Sequence, residues 1–309
     1  MSLSAPLPPG VNGSLEVLPT AAGHVAFYAA YPDGINGQDS HNNPAPAPML
    51  FVHSVNAAGS AAEIAPLFDH YRRSRSVYAL DLPGFGLSER SDRKYLPRLM
   101  TDAILACLER IRTRHGGAAV HVVALSLSGE FAARAQLEHP QLFRTLVLIS
   151  PTGFNGKPRR YGPAGATLGQ PWLYALLGNP LWRDAVFRGL TRPSVIRYFL
   201  QRTWGSKKID EALWHYDTLT TRESGAAYAP LYFLAAFLFS RDINALYEAL
   251  QCPVWVSMAT RGDFINYQGR YTVEGRSNWQ FHCVDGGALP FFEDLDGFVA
   301  RLDPFLVSS

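Results

Sequence analysis

Ser126 sits in a stretch whose residue types and spacing could build a nucleophile. From Val120 to Ala133 the chain reads Val-His-Val-Val-Ala-Leu-Ser-Leu-Ser-Gly-Glu-Phe-Ala-Ala. It begins as a short apolar, β-branched run, the pattern of a buried strand. It ends as an Ala-rich segment with Phe131, Ala132 and Ala135 at helical spacing. A serine at that junction is held on a sharp turn, where strand and helix backbones pass too closely for large side chains two residues away. Ala124 and Ser128 meet that demand and Gly129 follows, which makes a relaxed form of the G-x-S-x-G nucleophile elbow. Ser128 is the weaker candidate, because its own +2 neighbour is the bulky Glu130. The competing reading is an ordinary serine in a strand–helix turn.

The elements that must position Ser126 follow from hydrophobic patterning. Leu15 to Leu18 and His24 to Ala30 read as two strands joined by a turn near Gly23, and Asp33 to Pro48 reads as a Gly/Asn/Pro-rich loop. Met49 to Val52 is a buried strand, and Ser60 to His70 a helix with Ser60 as its N-cap. Val77 to Leu80 is the next strand. Pro97 to His115 is a helix with Leu99, Ala103, Ala106, Cys107 and Ile111 along one face. Thr145 to Ile149, Pro253 to Ser257 and Asn278 to Val284 complete the strands. Strands apolar on both faces, alternating with helices, predict an α/β fold with a mostly parallel central sheet flanked by helices.

Composition bounds the function. The chain has 309 residues, 47% of them apolar and 17% charged, enough for a large globular core. A net charge of +2 with no long Lys/Arg block gives no argument for nucleic acid. Cys107, Cys252 and Cys283 are far apart, lack metal-ligand spacing, and read as buried small hydrophobes. Met1 to Gly13 has neither a basic n-region nor an apolar h-region, so it does not read as a signal peptide and a cytoplasmic location is expected. No cofactor is implied: there is no dinucleotide-binding glycine motif, P-loop or metal cluster.

His53-Ser54, then Asp81-Leu-Pro-Gly-Phe-Gly-Leu-Ser88, then Ala124-Leu-Ser-Leu-Ser128 resemble the α/β-hydrolase fold family in order and spacing. The resemblance covers the chain from about Leu15 to its end, except the middle. Serine at the nucleophile position makes the chain look closer to esterases, acyl hydrolases and carbon–carbon bond hydrolases than to the branches that use aspartate. It implies a core of residues 1–152 and 242–309, with residues 153–241 inserted as a helical cap. That middle holds Pro171-Trp-Leu-Tyr-Ala-Leu-Leu177, helical patterns around Ala185 and Ile196, and the run Leu231 to Phe239. The run is too short for a bilayer span of about 20 residues and is expected as a buried helix. An aromatic-rich cap suggests a small lipophilic or aromatic substrate, although its aromatics could simply fill the cap's own core. Membrane contact through the cap at the interface is a further reading.

The resemblance places the triad acid past the seventh strand, at Asp263 in Thr260-Arg-Gly-Asp263, where it would orient a histidine base. The base is missing. Asp285-Gly-Gly-Ala-Leu-Pro-Phe-Phe-Glu293 resembles the family's Gly-His-x-Pro-x-x-Glu segment, with Ala288 where the family has histidine. A serine hydroxyl without a base is a poor nucleophile, and in subtilisin loss of the histidine costs on the order of a million-fold in turnover. His282 and His53 are the candidate substitutes, the first expected on a sheet face and the second expected to shape its own loop. Backbone N–H groups of Leu127 and of Val55, or else Ser54, are expected to form an oxyanion hole. His53, Phe154 and Leu289 are expected to line the substrate pocket.

Three functions follow. The first is a serine hydrolase acting on an ester or a carbon–carbon bond next to a carbonyl, inactive or impaired because Ala288 is an engineered replacement. The second is a natural non-hydrolytic member: a ligand-binding pseudoenzyme, or a lyase or cyclase using the capped pocket. The third is an active hydrolase with a surrogate base.

Overall fold

The strands of this chain are apolar on both faces, and only helices laid on both sides of a sheet can bury such strands. A computed structural model, which describes residues 6–32, 46–156 and 158–309, has that arrangement. Its strands are β1 (Ser14–Thr20), β2 (Gly23–Ala30), β3 (Met49–Val52), β4 (Val77–Leu80), β5 (Val120–Leu125), β6 (Phe143–Ile149), β7 (Val254–Ala259) and β8 (Trp279–Val284). They form one sheet in the order β1-β2-β4-β3-β5-β6-β7-β8. β1 pairs antiparallel with β2, and β2 antiparallel with β4; every other pairing is parallel. The first thirteen of the residues expected as a loop at Asp33–Pro48 lie outside the described residues.

Alternate strand residues feed two cores. Leu50, Val122, Ala124, Leu146 and Val254 face α2 (Pro97–Arg114) and α3 (Ser128–Glu138), while Phe51, Val123, Val147 and Trp255 face α1 (Ala65–Tyr71) and α10 (Leu295–Ser308). Between β6 and β7 the chain leaves the sheet for α4 (Pro171–Leu177), α5 (Arg183–Leu190), α6 (Pro193–Trp204), α7 (Glu211–Thr220) and α8 (Tyr228–Leu234). It returns through α9 (Ile243–Ala249), whose Tyr247 comes close to Gly129 on α3.

Four local expectations are corrected. Ser60 precedes a 3-10 turn, Ala61–Ile64, rather than an α-helix, and its hydroxyl makes no cap bond. The Glu63 N–H bonds the Ser60 carbonyl instead (3.1 Å), and the Ala61 N–H is taken by Asp81. The run Leu231–Phe239 is helical only to Leu234; Ala236 turns left-handed at φ 63°, and the chain doubles back so that the Ser240 N–H reaches Glu130 on α3. Cys283 is exposed on the edge strand β8, while Cys107 and Cys252 are buried as expected. The buried face of α2 is shifted from the expected stripe: it includes Met100, Ile104 and Leu108, while Leu99 and Ala106 are only half-buried.

β4 ends in the turn that frames the site. The buried Asp81 carboxylate accepts the Tyr28 hydroxyl (2.6 Å), the Ala61 N–H (2.7 Å) and the Leu87 N–H (2.8 Å). Gly86, at φ +50°, passes so close that an added Cβ would stand 2.0 Å from Asp81 Cγ. Only glycine fits that backbone and that gap.

His121 on β5 gives the fold an acid limit. It is buried beside Thr145 (Nδ1 to Oγ1, 2.8 Å), and burial, then the charges of Arg75 and Arg144, lower its pKa to about 3. The unfolded chain binds this proton near pH 6.5 and the folded chain does not until about pH 3. Stability therefore falls as pH drops through that window, by up to about 1.4 kcal/mol per pH unit. His121→Gln is expected to flatten this part of the pH–stability curve in urea melts; an unchanged slope would contradict the assignment.

Candidate active site

The sharp bend expected at residue 126 is present. β5 stops at Leu125, α3 starts at Ser128, and Ser126 between them has φ 50°, a left-handed conformation that a non-glycine residue holds only when its surroundings impose it. Those surroundings are small. A Cβ on Gly129 would stand 3.0 Å from Leu148 and 3.2 Å from the Tyr247 hydroxyl. The Ser128 hydroxyl is buried and donates to the His53 carbonyl (2.5 Å), so it serves the turn. Ser126 is half-buried, and its hydroxyl has no hydrogen-bond partner among the described residues.

The loop after β3 is held rigidly against this bend. His53 is buried, its Nε2 accepts the Leu82 N–H (2.9 Å), and its Nδ1 therefore carries the proton shared with the Ser54 carbonyl (2.6 Å). Glu63 takes the Ser54 N–H (2.7 Å), the Ser54 hydroxyl (3.0 Å) and the Asn56 side-chain amide (2.5 Å). The Ser54 N–H is thus committed, which removes it as an oxyanion donor. The amides of Val55 and Leu127 have no acceptor among the described residues.

Ser126, Leu127, Val55, Ala288 and Leu289 line one cavity of about 150 Å³. Its polar wall is Ser54, Asn56 and Glu63. Its far wall comes from the inserted helices and their return, through Leu200, Thr203, Phe233 and Phe239. Ala288 is anchored by backbone alone: its N–H donates to the Thr203 carbonyl (2.9 Å) and its carbonyl accepts the Ser150 hydroxyl (2.9 Å). The C-terminal end of α6 lies directly on this loop, since a Cβ on Gly287 would stand 2.5 Å from Trp204 Cα.

Asp263 is placed outside that cavity. It lines an adjoining groove of about 460 Å³ that shares Thr152, Phe239 and Phe264 with the first. Both carboxylate oxygens are held by Arg202 of α6, Nε at 2.5 Å and Nη2 at 2.8 Å, and the Asp263 N–H donates to the Arg202 carbonyl (3.2 Å). Nothing in the sequence signals this pairing, because the two residues are 61 apart on different elements.

Two expected pocket residues are corrected. His53 does not line the cavity, because both ring nitrogens are engaged by backbone. Phe154 is 1% exposed, stacked on Tyr247 (4.8 Å) and edge-on to Trp279 and Phe281, where it fills the core. His282 stacks on Trp255 (5.0 Å) at the α10 side of the sheet, and burial lowers its pKa. No histidine among the described residues lines the Ser126 cavity; His41 lies outside them. Sequence reading missed Glu63 and Arg202. For Glu63 a signal existed: Ser60-Ala-Ala-Glu63 has the capping-box pattern, but the glutamate turns instead to Ser54 and Asn56.

One buried carboxylate ties the bend to the inserted helices. Glu130, four residues past Ser126, accepts from Thr152 (2.6 Å), Arg160 (2.9 Å) and the Ser240 N–H (2.8 Å). Burial raises its pKa, and Arg160, Thr152 and Ser240 oppose that shift. Among the described residues no cluster of three or more His, Cys, Asp or Glu side chains could hold a metal, and no helix is long and apolar enough to cross a membrane.

The α/β hydrolase fold family model matches residues 47–199. The chain is 30% identical over 125 residues to an uncharacterized hydrolase, YugF, of Bacillus subtilis, covering 40% of this chain and 43% of that one. It is 32% identical over 125 residues to the 1-acylglycerol-3-phosphate O-acyltransferase ABHD5 of Sus scrofa, covering 38% and 34%. These alignments span less than half of either relative. A probable hydrolytic enzyme of Pseudomonas aeruginosa superposes with a TM-score of 0.72 over 96% of this chain and 95% of that one, at 18% identity. The family match runs from β3 to α6 and the structural match over nearly all the chain, both in accord with the observed strand order: the chain belongs to the α/β-hydrolase fold family.

Proposed function

We propose that this chain binds a small lipophilic, carbonyl-bearing molecule in the Ser126 cavity and, as it stands, does not hydrolyse it through a serine–histidine relay. Residues 153–241 act as a cap over that cavity on a core of residues 1–152 and 242–309. The observation that carries the reading is the composition of the cavity. Among the described residues it holds the strained serine and the two unbonded amides of Leu127 and Val55, but no imidazole, and Asp263 is bonded to an arginine outside it. Two such donors would bind a carbonyl oxygen and stabilise negative charge on it. The apolar walls from Ile149, Leu200, Phe233 and Phe239 favour an acyl chain or a ring. The cavity is smaller than the roughly 300–1,000 Å³ of common ligand pockets, so a larger group would extend past Phe264 into the adjoining groove.

A second reading is favoured by the loop at 288. Its hydrogen bonds are made by backbone, and its side chain faces the same cavity as Ser126. A histidine there would keep them, so a hydrolase of esters or of carbon–carbon bonds next to a carbonyl is one substitution away in its base, though not in its acid.

Displacement of a polarity-sensitive naphthalene dye by short aromatic and acyl esters tests the proposal. Saturable displacement without ester cleavage is expected, Ser126→Ala should leave affinity within about threefold, and Val55→Pro should weaken it about tenfold or more, the loss of roughly one hydrogen bond to a carbonyl oxygen. Ester turnover abolished by Ser126→Ala, or no displacement at all, would contradict it.

A further inference from the structure

We propose that the inserted helices carry a docking surface for an anionic lipid bilayer, centred on the hairpin formed by α4 and the turn after it. Trp172 (66% exposed), Leu176 (53%), Leu181 (87%) and Trp182 (41%) lie within eleven residues, and α4 buries no residue of its own. Trp172 and Leu176 are one helical turn apart and share a face. The Trp182 indole N–H donates to the Leu176 carbonyl (2.8 Å), which pins the turn to the end of the helix. Large apolar side chains this exposed are not spread evenly. Leu15, Val17, Tyr31 and Val307 apart, all those among the described residues lie between 161 and 271. A contiguous exposed apolar patch marks an interaction site, and tryptophan with leucine is the pairing found where a protein meets the bilayer interface.

Charge selects the occupant. Residues 171–200 contain four arginines, one aspartate, and no lysine or glutamate. Asp184 is paired with Arg183 (3.0 Å) and Arg197 with Glu211 (2.5 Å). Arg188 and Arg192 are exposed and have no acidic partner among the described residues. Unpaired arginines within ten residues of the apolar hairpin along the chain complement anionic headgroups, whereas a symmetric contact with a second copy would bring these like charges together.

Flotation of the full chain with vesicles of phosphatidylcholine alone and of phosphatidylcholine with 30% phosphatidylglycerol tests this. Flotation is expected with the anionic vesicles, with a blue shift of tryptophan emission. Leu181→Asp with Trp172→Ser should lower the bound fraction about tenfold, and Arg188→Glu with Arg192→Glu should abolish the preference for phosphatidylglycerol. All four residues are exposed, and an unchanged circular-dichroism melt confirms folding. Absence of flotation, or flotation untouched by both pairs, would overturn the proposal. So would a dimer in solution that dissociates on Leu181→Asp, which would assign the surface to a second copy.

Discussion

Ala288→His alone is expected to raise ester hydrolysis only about a hundredfold, and Ala288→His with Arg202→Ala to raise it by several further orders of magnitude. In subtilisin, loss of the histidine costs about 2 × 10⁶ in turnover and loss of the aspartate alone about 3 × 10⁴. A serine–histidine pair lacking its acid therefore keeps on the order of 10² of the full effect. The single substitution would create that state here, because both Asp263 oxygens are bonded by Arg202 at 2.5 and 2.8 Å. Removing the guanidinium frees the carboxylate to hold the new imidazole in the productive tautomer. Arg202→Ala alone should change nothing in hydrolysis, since no histidine among the described residues lines the cavity. Chromogenic short-chain ester assays on the three variants check this. Full recovery from Ala288→His by itself would show that Arg202 does not withhold the acid. No gain in the folded double variant would show that Asp263 or Ser126 is wrongly assigned.

Asp81→Ala is expected to destabilise the fold by about 3–5 kcal/mol, the range for removing one partner from a buried charged network. Its carboxylate accepts three donors and is fully buried. Alanine would strand the Tyr28 hydroxyl and two backbone N–H groups without water. Burial, and after it the charge of Asp81, push the Tyr28 pKa up, so this phenol donates throughout the working pH range. The effect should reach the cavity as well. The Ala61 N–H bond anchors the 3-10 turn that carries Glu63, and Glu63 fixes Ser54 and Asn56 on either side of Val55. Asp81→Ala should therefore weaken ligand binding even where the chain remains folded. Urea denaturation and dye displacement on the same sample measure both, and a loss below about 1 kcal/mol would refute the role given to Asp81.

The sheet was legible because its strands are short, β-branched and bounded by turn residues. Met49–Val52 and Val77–Leu80 match their expected limits, and the serine bend follows from small residues around position 126. The inserted helices were less legible. α7 has no counterpart in the sequence reading, although Asp210 caps it by accepting the Leu213 N–H (2.7 Å). Leu231–Phe239 is uniformly apolar, so periodicity could not show that its helix ends at Leu234. Within the site, Ser126, Leu127, Val55, Ala288 and Leu289 meet in one cavity as expected. Phe154 was misplaced because an aromatic residue after a strand end packs as readily against Tyr247 as into a pocket. Asp263 stands outside that cavity and its partner Arg202 was not foreseen, since an ion pair between distant elements leaves no local pattern.

Ser126 presents its hydroxyl on a strained turn, with no imidazole among the described residues that line its cavity. The rate at which a fluorophosphonate labels Ser126 between pH 5 and 10 tests this most directly. Labelling should be slow and confined to Ser126. It should rise steadily with hydroxide, with no inflection near the imidazole range and no change in His53→Gln or His282→Gln. Rapid labelling at neutral pH, with an inflection near pH 6–7 that either histidine substitution removes, would contradict the account.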